Sequence, residues 1–172
     1  PQRVLDLCTG PGCIGLALAH SVESARVTLA EISEPALRVA KQNTANLRLK
    51  NRVTAFSVDV LQPAPKFLGQ FDLIVSNPPY VTTKEMATLD VSVWAYEPHL
   101  ALEGGEDGLD FYRAILQNFN AALRPGGTIC FEFGCGQETG VGELLEAAGF
   151  TDVMFRKDLR GVTRAVAARK PE

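Results

Sequence analysis

Phe71-Asp72-Leu73-Ile74-Val75-Ser76-Asn77-Pro78-Pro79-Tyr80 runs from an apolar, β-branched segment straight into two prolines. Its first six residues read as a central strand of a parallel sheet, buried on both faces. Pro78 and Pro79 cannot extend that strand, because proline fixes φ and removes the donor a ladder needs. Asn77 precedes a proline and is pushed towards an extended conformation. The chain is therefore held stiffly at the carboxyl end of a strand, where open α/β sheets build their ligand crevices. An amide, a carbonyl and a phenol at such a corner suit a small, planar group that donates hydrogen bonds.

The surrounding pattern alternates strands and helices. Arg3–Cys8 is predicted as the first strand, Ala25–Ile32 the second, Val53–Val58 the third and Thr128–Phe133 the fifth. Helices are predicted to begin at Ile14 and to cover Glu34–Leu49, Leu109–Leu123 and Val141–Ala148. Arg124-Pro125-Gly126-Gly127 is expected to close the third of these, and Gly149 to cap the last. Strands near Asp152–Arg156 and Thr163–Ala168 are expected to form an antiparallel hairpin. This order predicts a doubly wound α/β fold with a seven-stranded, mostly parallel sheet. The long stretch from Val81 to Gly108 reads as an active-site lid. The first strand begins almost at residue 1, which suggests an excised catalytic domain.

Composition narrows the class. With 172 residues, 46% hydrophobic and 22% charged, residues 1–172 fit one globular domain with a sizeable core. A net charge of −3 argues against a stand-alone nucleic-acid binder, which carries a basic face. Four residues separate Cys8 from Cys13, and four separate Cys130 from Cys135, so neither pair has zinc-knuckle spacing. All four are expected to be reduced structural thiols, and no metal is expected. No apolar run approaches a membrane span and no signal pattern opens the chain, so it is read as soluble, cytoplasmic and monomeric.

Cys8-Thr9-Gly10-Pro11-Gly12-Cys13-Ile14-Gly15 follows a strand and opens a helix. Gly10 and Gly12 let backbone approach a ligand, and the helix start offers unpaired N–H groups. Gly10, Gly12 and Gly15 satisfy the G-x-G-x-x-G spacing of dinucleotide-binding folds. Glu31, 21 residues after Gly10, is placed to accept from ribose hydroxyls. Asp59, at the end of the third strand, is placed to accept from an adenine amino group. On these residues alone NAD and S-adenosylmethionine fit equally. Asp6 is expected to brace the turn.

The segments 6–15 and Ser76–Tyr80 together resemble class I S-adenosylmethionine-dependent methyltransferases acting on planar nitrogens. Tyr96-Glu97-Pro98, Gly104-Gly105, Asp107-Gly108-Leu109-Asp110-Phe111-Tyr112-Arg113 and Lys157-Asp158-Leu159 extend the likeness. They resemble the peptide chain release factor glutamine-N5 methyltransferases (the HemK/PrmC family), from residue 3 to about 168. The resemblance implies that Cys8, Thr9, Gly10, Pro11 and Gly12 cradle the methionine part of S-adenosylmethionine. It implies that Glu31 holds the ribose and that Asp59 with Val60 borders the adenine. Asn77 and the Pro78 carbonyl would then accept both N–H bonds of a glutamine amide, with Pro79 stiffening the corner and Tyr80 against the amide plane. The implied partner is a release factor carrying a Gly-Gly-Gln loop.

Two departures from that family stand out. It usually has glycine at the position of Cys8 and a small polar residue at that of Pro11. Cys8 is expected to narrow the pocket, and Pro11 to remove one backbone N–H. Family members also carry an N-terminal helical domain, and residues 1–172 are expected to be the catalytic domain without it.

Three rival readings remain at this level. A nucleic-acid amino-methyltransferase would use the same corner, with Arg38, Lys41, Arg48, Lys50 and Arg52 touching phosphate. A solvated helix face is the simpler account of those cations. An NAD-dependent oxidoreductase is allowed by the glycine spacing, but no acid–base pair for hydride transfer accompanies it. A non-catalytic binding module would explain Cys8 and Pro11. His20 and His99 are read as incidental, Trp94 and Tyr96 as lid anchors, and the acidic stretch Glu103–Asp110 as a loop end and helix cap.

Overall fold

The computed structural model describes residues 2–87 and 101–172. In chain order its elements are β1 (Arg3–Leu7), α1 (Cys13–Ser21), β2 (Arg26–Glu31), α2 (Glu34–Asn46), β3 (Val53–Ser57), β4 (Phe71–Ser76) and the single turn α3 (Thr83–Met86). They continue with α4 (Asp110–Phe119), β5 (Leu123–Glu132), α5 (Glu138–Ala147), β6 (Thr151–Lys157) and β7 (Thr163–Arg169). One seven-stranded sheet runs β3-β2-β1-β4-β5-β7-β6 from edge to edge. The first five strands in that order pair in parallel, and β7 pairs antiparallel with both β5 and β6. The expected doubly wound sheet with a terminal hairpin is what forms.

Each central strand buries both faces, so its residues alternate between two cores. Leu5, Leu7 and Ile74 pack with Tyr112, Ile115 and Phe119 of α4 and Val141 and Leu145 of α5. Val4, Val27, Leu29 and Val75 pack with Leu16 and Ala19 of α1 and Ala40 of α2. The sequence pattern explains the docking of α4: Tyr112, Ile115, Leu116 and Phe119 recur at helical spacing and are all buried. Each such side chain contributes roughly 1.5–3 kcal/mol on burial. Ser33 caps α2, accepting from the Ala36 N–H at 3.4 Å, and Pro35 sits in its first turn.

The strand order reverses between β1 and β4, where the chain winds off in opposite directions. Leu7 and Ser76 are paired at the carboxyl ends of these two strands. The Ser76 hydroxyl donates to the Leu7 carbonyl at 2.8 Å in a buried bond. This tie sets the exits of the two strands side by side.

Several boundaries differ from expectation. Helix α4 stops at Phe119 and passes through one 3-10 turn at Asn120–Ala122, and β5 already begins at Leu123. Its pairing moves from Phe71↔Leu123 to Leu73↔Thr128, so Arg124-Pro125-Gly126-Gly127 bulges from the strand instead of closing the helix. A bulge accommodates Pro125, which has no N–H for the ladder. Helix α2 ends at Asn46, before Arg48 turns to φ 57°, and β3 ends at Ser57. Gly149 follows α5 at φ 84°, as its capping role requires.

Gly15 marks the closest approach of α1 to the sheet. A Cβ there would overlap Leu29, lie 2.8 Å from Asp6 Oδ2 and 3.0 Å from Val27 Cγ1. Gly15→Ala is therefore expected to lower the free energy of unfolding by about 1–3 kcal/mol, the usual penalty of overpacking a core. Urea denaturation measures it, and an unchanged midpoint would show that the helix can move away freely.

Candidate active site

At the β1 exit, the chain turns through three left-handed residues in five. Cys8 has φ 54°, Gly10 φ 56° and Gly12 φ 92°. Gly12 N-caps α1 without any side-chain cap. The turn is fastened from below by Asp6, whose Oδ2 accepts from the Thr9 hydroxyl at 2.5 Å and from the Gly15 N–H at 2.8 Å. It is fastened from the side by Glu31, at the end of β2. One Glu31 oxygen accepts from the Gly10 N–H at 2.8 Å, and the other accepts from the Ser33 N–H at 2.8 Å. Open space lies above Gly10, where a Cβ would meet no atom within 4 Å.

Burial governs the electrostatics beneath this turn. Asp6 is 1% exposed, and desolvation pushes its carboxyl up to about 6, against lowering by the Thr9 and Gly15 hydrogen bonds. Its Oδ1 is buried without a partner. Burial, then the neighbouring Glu31 charge, pushes the Cys8 thiol up to about 12, so it is protonated and unreactive at neutral pH. The positive φ of Cys8 gives a backbone reason for glycine at this position. A left-handed conformation costs a residue with a Cβ about 1–2 kcal/mol. Pro11 is exposed, and its carbonyl accepts from the Asn43 side chain at 3.0 Å.

Glu31 sits close to the next strand exit, since the Val58 N–H donates to its carbonyl at 3.2 Å. Asp59 lies two residues past the end of β3, half-buried, with Oδ1 accepting from the Leu61 N–H at 2.9 Å. Val60 is buried, and its carbonyl accepts from the Asn118 side chain at 3.0 Å. The exits of β1, β2 and β3 thus line up as a row.

At the β4 exit, Asn77 is exposed, Pro78 and Pro79 are buried, and Tyr80 is half-buried against the α4–α5 core. Among the described residues neither the Asn77 side chain nor the Pro78 carbonyl has a hydrogen-bond partner. Tyr80 is different: its carbonyl accepts from Gln137 Nε2 at 2.9 Å. Beyond it, Val81 donates to the Leu102 carbonyl and accepts from the Gly104 N–H, both at 2.8 Å. This clip brings residues 81 and 104 together at the base of the segment read as a lid. Gly104 has to be glycine, since a Cβ there would lie 2.8 Å from the Pro79 oxygen and from Tyr80 Cα. Arg113 bonds Asp107 and Asp110, and the Arg113 hydrogen bond holds the Asp107 carboxyl down to about 2.

Trp94, Tyr96, Glu97 and His99 lie outside the described residues. Among the described residues no cluster of three or more His, Cys, Asp or Glu side chains is arranged to hold a metal ion. All four cysteines are free thiols. Gln137 and Gly134 stand in none of the sequence motifs, and Gly108 enters only as a member of longer runs such as Asp107–Arg113. The run Gly134-Cys135-Gly136-Gln137 announces a turn after β5, but nothing in it reveals that its glutamine reaches Tyr80.

The sequence pattern described as "Methyltransferase small domain" matches residues 1–95, more than half of the chain. The chain belongs to that family. Among curated relatives it is 41% identical to a "Release factor glutamine methyltransferase" of Clostridium acetobutylicum, over 97% of this chain and 59% of the relative. It is 44% identical to one of the same description from Cereibacter sphaeroides, over 98% of this chain and 59% of that protein. The chain spans about three-fifths of the length of such relatives. Among solved structures it resembles a methyltransferase from Pyrococcus furiosus, with TM-score 0.69 and 19% identity over 99% of this chain and 76% of the other. TrmN from Thermus thermophilus gives 0.68 at 22% identity, over 98% and 44%. These likenesses establish a class I methyltransferase fold and remove the grounds for the oxidoreductase reading.

Asp6 makes the stability of this methyltransferase domain depend on pH. Its folded value near 6 lies above the ordinary 3.8, so the folded state holds the proton more tightly. Its contribution is greatest below about pH 4 and is lost as pH rises through 6. Asp6→Asn keeps an oxygen for Thr9 and Gly15 and cannot ionise. Urea unfolding at pH 4 and pH 7 should find the variant gaining on the wild type by up to about 3 kcal/mol as pH rises. Parallel stability curves would show that Asp6 is not strained by burial.

Proposed function

We propose that the chain is the catalytic domain of a release factor glutamine methyltransferase, cytoplasmic like its substrate, using S-adenosylmethionine. The observation that carries this reading is the pair of acceptors left without partners at the β4 exit, the Asn77 side chain and the Pro78 carbonyl, next to a glycine turn built for a nucleoside ligand. Relatives described as release factor glutamine methyltransferases align over nearly the whole chain and support the choice of acceptor.

The residues of the turn fit the cofactor. Open space above Gly10 admits a ligand against the backbone, and the uncapped start of α1 presents N–H groups to a carboxylate. Each Glu31 oxygen already takes one N–H and keeps lone pairs for ribose hydroxyls. Asp59 and the Val60 backbone border the place for adenine. Bound there, S-adenosylmethionine supplies a methyl group already activated by a sulfonium.

An amide nitrogen is a poor nucleophile, because its lone pair is delocalised into the carbonyl. Two acceptors that grip both N–H groups orient that nitrogen and favour the positive charge that develops on it. Pro78 and Pro79 hold the acceptors rigid, so little reorganisation is needed at reaction. Tyr80 offers a flat face to the amide plane. Positioning at the β1/β4 exits supplies the remainder; once alkylated, the nitrogen is strongly acidic and gives its extra proton to water, so the step needs neither a metal nor a strong base.

Methyl transfer from labelled cofactor to a release factor with a Gly-Gly-Gln loop tests this reading. Asn77→Ala should reduce kcat by roughly 10²–10³-fold, as loss of one polar group of an oxyanion hole does, with cofactor affinity changed far less. Because Asn77 is exposed and unpartnered, the thermal midpoint should not move. Transfer to RNA or DNA oligonucleotides and none to the release factor would overturn the assigned substrate.

A further inference from the structure

We propose that Gln137 is the positioning residue of the corner: its side-chain amide fixes the Tyr80 backbone and thereby sets the slot between Asn77, Pro78 and the Tyr80 ring. The proposal rests on the reading of that corner given above and adds a residue to its machinery.

Two prolines deprive the corner of backbone donors, and the chain regains ladder contacts only at Val81. Between them lies Tyr80, whose carbonyl is held by Gln137 Nε2 at 2.9 Å. The same amide accepts from the Gly134 N–H through Oε1 at 2.8 Å, and its Nε2 also lies 3.4 Å from the Gly108 carbonyl. One planar group therefore joins three segments far apart in sequence: the β4 exit, the turn before α4 and the β5 exit. The half-buried site is shaped for it. A Cβ on Gly134 would lie 2.9 Å from Gln137 Oε1 and 3.0 Å from Tyr80 Cδ2, so the phenol ring rests directly on that turn. A Cβ on Gly108 would overlap both Gln137 Nε2 and the Tyr80 oxygen.

The position needs a donor and an acceptor on one planar end. Glutamine supplies both, ionised glutamate only accepts, and leucine does neither. Losing the donor leaves the Tyr80 carbonyl unheld and lets the ring drift from its seat. A displacement near 1 Å at a reacting site can lower the rate about 10²-fold.

Gln137→Glu turns this into a measurement. The protonated carboxyl can still accept from Gly134 and donate to Tyr80; the ionised one cannot donate and sets a charge against a carbonyl. The ratio of variant to wild-type kcat should stay near one at low pH and fall roughly 10- to 100-fold as the new carboxyl ionises. That ionisation should occur well above the ordinary glutamate value of about 4.3, as read by carbon NMR. Among the described residues the ionisable groups on the segments that meet there are Tyr80, Glu103, Glu106, Asp107, Asp110, Arg113, Glu132, Cys135, Glu138 and Arg164. They are common to both proteins, so the ratio isolates the substituted group.

Gln137→Leu should lower kcat at every pH, with cofactor affinity unchanged in both variants. A pH-independent ratio, or an ordinary ionisation of the new carboxyl, overturns the proposal, because a merely structural glutamine would shift stability without a step in kcat. A wild type that turns over no acceptor removes the reading of the corner and this role with it. A normal titration in an active enzyme removes the role alone.

Discussion

The buried bond from the Ser76 hydroxyl to the Leu7 carbonyl is the contact on which the rest of the site depends. It lies at the one place in the sheet where the strand order reverses, between β1 and β4. Helices leave such a point towards opposite faces, and a crevice opens between their connections. On the β1 side the crevice receives a glycine turn with backbone N–H groups, and on the β4 side a proline-stiffened corner with two spare acceptors. Strand pairing and the short Ser76 side chain thus bring backbone donors and spare acceptors side by side. No long side chain has to reach across.

Rigidity on the two sides comes from different sources. Asp6 and Glu31 hold the glycine turn by carboxylate–amide bonds, and Asp6 does so at a cost, since it is buried with one oxygen unpartnered. A group kept under desolvation beneath a ligand turn is a common trade of stability for preorganisation. Cys8 carries a related strain in its backbone, where a left-handed φ is held by the fixed ends of β1 and the turn. The corner at Asn77 needs no such strain. Its prolines are intrinsically stiff, and Gln137 with the glycines at 104, 108 and 134 closes round them.

Much of this was legible in the sequence. The apolar run 71–76 ending in two prolines, the glycine spacing at 10, 12 and 15, and the carboxylates at 31 and 59 each depend on local residue chemistry, so their elements and ends could be read. The doubly wound order followed from alternation. What could not be read depends on contacts between distant segments. The bulge at Arg124–Gly127 looked like a helix stop, because proline and glycine signal both and only the pairing with β4 decides. The carboxylate of Glu31 looked free for a ligand, whereas it first ties Gly10 and Ser33. Gln137 carried no local signal at all, because its partner lies 57 residues away.

The central claim is that one crevice at the β1/β4 exits holds the methyl donor and a glutamine amide together. A crystal structure with S-adenosylhomocysteine and a Gly-Gly-Gln peptide tests it most directly. The account predicts the thioether over Gly10–Gly12, the ribose on Glu31, and the glutamine amide donating to Asn77 Oδ1 and the Pro78 oxygen against the Tyr80 ring. A peptide amide bound away from that corner, or a nucleoside seated anywhere but the carboxyl ends of β1 and β2, would contradict it.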